Sequence, residues 1–211
     1  MELLYIILGI ILGWLLGLLT QPIVTQIERV YKRKDFRFAI VSELKNLVVR
    51  LAANFYKIGV HLGTLDKQSV RWVMEMYQKY SVDHKQQMFL AAKQLLEMDD
   101  QEFQSALSAR KAADNISLSL KTFPLLFIDC SFDIVSVFDS EFQRKILEIK
   151  AQIDMLNQQI LESRDYFYLT FNPESLSANQ QILRENIKNL HGYIQDKCKQ
   201  IAGMIEEVIN T

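Results

Sequence analysis

Proline and glycine are scarce in this chain. Its 211 residues hold three prolines, Pro22, Pro124 and Pro173, and seven glycines, of which only Gly59, Gly63, Gly192 and Gly203 follow residue 17. So little turn chemistry argues against a fold of many short strands and favours long helices. Cysteine is scarcer: Cys130 and Cys198 have no CxxC neighbour and no spaced histidine pair, which argues against a zinc finger and leaves two reduced thiols. The sequence has no GxGxxG, GxxxxGK[ST], GxSxG, HExxH or EF-hand pattern. His61, His84 and His191 lie far apart on separate segments, so no histidine grouping is legible, and no cofactor is expected. A basic surface is lacking too. Residues 1–37 hold five Lys/Arg against three Asp/Glu, a net of +2; the chain total of −1 leaves −3 on the remaining 174 residues, which argues against a nucleic-acid partner.

What is present begins with a run free of charge. From Leu3 to Leu19 no residue is ionisable except the phenol of Tyr5. With Ile23 and Val24 beyond it, the run is long enough as a helix to cross most of a bilayer core roughly 30 Å thick. Only Glu2 is charged before the run, and no small-x-small cleavage site ends it, so an uncleaved signal anchor is expected. Arg29, Lys32, Arg33, Lys34 and Arg37 follow as a basic collar. That excess sets an expected topology of one span, N-terminus out and C-terminus in the cytoplasm, at the inner (plasma) membrane. The same bases can contact anionic headgroups or merely set topology. Gly9, Gly13 and Gly17 share one helical face and form a candidate self-association surface, because a missing Cβ lets a second backbone approach.

The expected fold is all-α: residues 1–22 as the transmembrane anchor, 23–63 as collar and long amphipathic helix, and 64–211 as the rest of one cytoplasmic bundle. Helical spacing predicts segments over 67–80 and about 84–97, with Trp72, Met74, Met76, Met88 and Met98 read as core. An Asp99-x-x-Glu102 cap predicts a helix of about 100–121. Residues 124–139 fit helix and strand periodicity equally; a helix or irregular helical segment is chosen, since a lone strand would leave its backbone groups unpaired. Within them Asp129 and Asp133, four apart, are weak candidates for a hard-metal site or paired carboxylates. Ser140-x-x-Gln143 reads as a capping box, followed by Phe142, Ile146, Ile149, Ile153, Leu156 and Ile160 at heptad spacing. Ser177-x-x-Gln180 opens a last helix carrying Leu183, Ile187, Leu190, Ile194, Ile201, Ile205 and Val208. The two arms are expected to fold back as an antiparallel hairpin over 140–211, though such a seam does not say whose helix fills it.

Taken together, these features lead to a non-enzymatic, membrane-anchored scaffold or interaction protein that binds a partner or itself. The alternative is a membrane-perturbing effector of toxin or defence type that acts by clustering its spans. An unrecognised enzyme working through Asp129 and Asp133 ranks third.

Overall fold

The computed structural model describes residues 2–81, 87–111, 118–130, 138–171 and 177–210. Among them are seven helices and no strand: α1 (Glu2–Leu62), α2 (Lys67–Tyr80), α3 (Gln87–Glu97), α4 (Asp100–Arg110), α5 (Leu126–Cys130), α6 (Ser140–Leu169) and α7 (Ser177–Ile209).

The 61 residues of α1 fall into two parts. From Ile40 onward a row at three- and four-residue spacing, Ile40, Leu44, Leu47, Leu51, Phe55 and Ile58, is buried. The row ends at Gly63, whose φ of 70° is a left-handed conformation open to glycine, and Thr64 N–H closes the turn on Gly59 O at 2.9 Å. Before Ile40 no described side chain is buried. Among the described residues no helix is long and apolar enough to cross a membrane. The transmembrane element of the sequence reading is therefore not carried by the fold.

The bundle is built on α1, α6 and α7. Phe142, Ile146, Ile149, Ile153, Leu156 and Ile160 of α6 are buried, as are Ile187, Ile194, Ile201, Ile205 and Val208 of α7. α7 packs along both α1 and α6, so its apolar stripe is filled within the chain. Lys197 Nζ reaches Gln152 Oε1 at 3.4 Å between α7 and α6. The cap of α2 is Asp66, which accepts from Ser69 N–H at 2.6 Å. α2 then closes on α7 through Glu206, which accepts from Lys79 Nζ at 2.7 Å and Tyr80 Oη at 2.9 Å. Met74 and Met76 are buried, and Trp72, Met88 and Met98 pack against the same core, so the methionines line the interior.

Three boundaries differ from the sequence reading. The capping box of Asp99 and Glu102 is present, but α4 stops at Arg110 instead of continuing to about 121. Residues 118–125 instead form an irregular segment laid across the core and held by side chains. Asn157 donates to Phe123 O at 3.1 Å and accepts from Phe123 N–H at 2.7 Å. Arg50 donates to Thr122 O at 3.0 Å, and Arg164 donates to Leu120 O. Of residues 124–139, only Leu126–Cys130 is helical among those described. The amide and guanidinium side chains satisfy backbone groups of Leu120, Thr122 and Phe123, just ahead of that stretch. Finally, α6 is capped by Asp139, one residue before the expected Ser140; its carboxylate accepts from Phe142 N–H at 2.9 Å. Gln143 reaches back to Phe138 O at 2.7 Å.

Candidate functional site: the unpartnered helix and its collar

The first turns of α1 present apolar side chains in every direction. Tyr5, Ile7, Leu8, Ile10, Ile11, Leu12, Trp14, Leu15, Leu16 and Leu18 are each 48–70% exposed. A Cβ built on Gly9, Gly13 or Gly17 would meet nothing within 4 Å, so the glycine face looks onto open space. A helix apolar on all sides belongs in a core or a bilayer, and nothing in the described chain covers this one.

The collar divides between two tasks. Arg33 and Arg37 turn inward to the foot of α6: Arg33 Nη2 lies 3.3 Å from Asp139 Oδ2 and its guanidinium 6.0 Å from the Phe138 ring, while Arg37 sits 5.2 Å over Phe142. The Asp139 carboxyl is held below the usual carboxylate range, first by the Phe142 amide and then by the two arginines. Lys32 and Lys34 are exposed. The side chain of Arg29 lies outside the described residues. The cap of α6 is thus tied to the helix that leads to the apolar end.

Elsewhere, Asp129 on α5 is exposed and ion-paired with Lys150 at 2.6 Å, and Lys150 also holds Asp154 at 3.1 Å. Asp133 lies outside the described residues. Among the described residues no group of three or more His, Cys, Asp or Glu side chains could hold a metal ion. Cys198 is fully buried, and burial pushes its thiol well above the ordinary value, which makes it a poor nucleophile. The Cys130 side chain and His84 lie outside the described residues.

The separation of the histidines in sequence does not hold in space. His61 on α1 and His191 on α7 meet edge to face with ring centroids 5.7 Å apart. His191 is 1% exposed and neither ring nitrogen has a hydrogen-bond partner. Burial, with His61 beside it, drives its pKa down to about 4. Next to this pair, Thr64 Oγ1 donates to Gln195 Oε1 at 3.0 Å. Two rings supply too few ligands for a metal centre, and among the described residues no acid acts on either ring to make it a base. No sequence signal could have found this pair, because 130 residues separate its members and only the α1–α7 packing joins them.

No family model, no curated protein and no solved structure matches this chain.

Proposed function

We propose that the protein is a membrane-anchored helical scaffold, with residues 3–19 in the bilayer and the bundle presented on the cytoplasmic side for association with a partner or with itself. The observation that carries this reading is the exposure of the ten described large apolar side chains between Tyr5 and Leu18. At roughly 1–2 kcal/mol for each such side chain withdrawn from water, ten of them favour an apolar surrounding by about 10–20 kcal/mol, comparable with the whole stability of a domain. The full run of seventeen residues without a formal charge, 3–19, followed by Arg29, Lys32, Arg33, Lys34 and Arg37, supplies the length and orientation that such insertion needs.

In this reading Arg33 and Arg37 hold the foot of the bundle against α1, and Lys32 faces the headgroups. Alkaline carbonate washing of native membranes tests the anchor, and protease treatment of intact vesicles tests the orientation. The chain is expected to stay in the pellet and its C-terminal bundle to be cleaved only from the cytoplasmic side. Release into the wash would defeat the proposal.

A further inference from the structure

The exposed face of α1 does not stop at the apolar end. Val24, Tyr31 and Phe38 follow Gly17 at intervals of seven, and they are 47%, 65% and 77% exposed. A residue every seven positions keeps nearly to one side of a helix, and this side lies roughly 150–180° round from the buried row of Ile40, Leu44, Leu47, Leu51 and Ile58. The stripe therefore points away from the bundle over about 32 Å, from Gly17 to Phe38. The Tyr31 and Phe38 rings stand in water on the side of α1 away from the buried row that begins at Ile40.

We propose that a second copy of this chain docks along this stripe, so that two α1 helices form a parallel coiled coil running out of the anchor, with Gly17, Val24, Tyr31 and Phe38 on the seam. Four observations favour a second copy over another occupant. The repeat of seven supplies one of the two seam rows that two like helices need in order to supercoil, with Thr20, Ile27 and Lys34 at the intermediate positions. Copies anchored by the same end in one membrane present the stripe in parallel and in register; this argument rests on the anchor reading above. Lys34 falls on the seam at the intermediate position beside its counterpart in the other copy, with Asp35 on the flank, both exposed; this charged position costs stability but fixes register, because only the aligned register lets each lysine reach an aspartate of the other copy. The area is sufficient as well: the three apolar side chains offer on the order of 400 Å² per chain, about 800 Å² for a pair, before the apolar turns below Gly17 bring it to the size of a specific interface. The open space at Gly13 and Gly17 lets the backbones approach there.

The test uses the full-length chain in native membranes. Single variants Tyr31→Cys, Phe38→Cys and Lys32→Cys are oxidised and compared with the unchanged chain, in which Cys198 is buried. A disulfide requires Cα atoms within about 7 Å, which positions on the seam meet and position 32, on the flank, does not. The expected result is a disulfide-linked homodimer from the variants at 31 and 38 and none from the variant at 32. No dimer at 31 and 38, equal dimer at all three, or a crosslink to a different protein would overturn the proposal. Phe38→Asp, an exposed change that leaves the core intact by circular dichroism, is expected to convert dimer to monomer in detergent; a persistent dimer would also overturn it. If crosslinking succeeds while carbonate releases the chain, the anchor reading fails and the dimer stands. If the chain stays in the membrane without crosslinks, only the dimer fails.

Discussion

At neutral pH His191 carries no charge, because protonation would place an unpaired cation between α1 and α7 with neither ring nitrogen hydrogen-bonded. Its folded pKa of about 4 lies below the 6.5 of a free imidazole. The unfolded chain therefore binds the proton first, and stability rises with pH between those values. The contribution is complete above about pH 6.5 and is lost as pH falls toward 4, amounting to on the order of 3 kcal/mol. Among the described residues, His61 is the charged or titratable group that acts on it, and its own pKa is lowered by burial, in the same direction. Thermal unfolding between pH 7 and 4.5 should show this loss, and His191→Leu should flatten it; an unchanged slope in the variant would place the acid sensitivity elsewhere. Gly59 is the other residue whose role only packing reveals. A Cβ there would collide with the Leu65 side chain and come within 2.6 Å of Gln195 Nε2. Gly59→Ala is therefore expected to cost about 1–3 kcal/mol by overpacking, despite alanine's better helix propensity. A gain in denaturant midpoint would refute that. In the sequence Gly59 looks like a weak point in a helix, and nothing local distinguishes it from Gly192 or Gly203, whose added Cβ would meet nothing within 4 Å.

At the scale of elements, residues 118–125 show how a segment without regular structure is kept in the core. The two hydrogen bonds between Asn157 and Phe123 satisfy both backbone groups of a residue whose ring is 2% exposed. Asn157→Ala would leave those groups unpaired at a cost of about 1–3 kcal/mol, and chemical denaturation would read it; Asn157→Asp, which keeps only the acceptor, should fall between. Helix periodicity was enough to place α2 over Lys67–Tyr80 and the cap of α4 at Asp99. It did not place the end of α4, because the continuation of the pattern past Arg110 competes with tertiary bonds from Asn157, Arg164 and Arg50, all distant in sequence. The cap of α6 slipped by one residue for a similar reason. Asp139 and Ser140 both suit the position, and Arg33 lies beside Asp139 from another helix.

Across the whole molecule, α1 serves two environments with one continuous helix. Its second half is core to the bundle, while no described side chain before Ile40 is buried. Removing residues 1–30 should therefore leave the thermal midpoint of the bundle within a few degrees while abolishing sedimentation with membranes. Unfolding of the truncated chain would show that the apolar turns belong to the core. Arg33 and Arg37 tie the foot of α6 to the helix just beyond that cut, so the bundle is held to α1 at both its foot and its seam.

The sequence by itself determined the helical class, the unbroken apolar run with its basic collar, and the heptad rows of α6 and α7. These follow from composition and from spacings of three, four and seven residues, which are local properties of a chain. Only the tertiary structure decided that the α7 row is filled by α1 and α6 of the same chain, that His61 and His191 meet, and that Asn157 and Arg164 hold residues 118–125. It also decided that Val24, Val30, Tyr31 and Phe38 of α1 are left exposed. Each of these depends on which face of a helix is already covered, and that is fixed by packing between segments up to 130 residues apart, where no local pattern reaches.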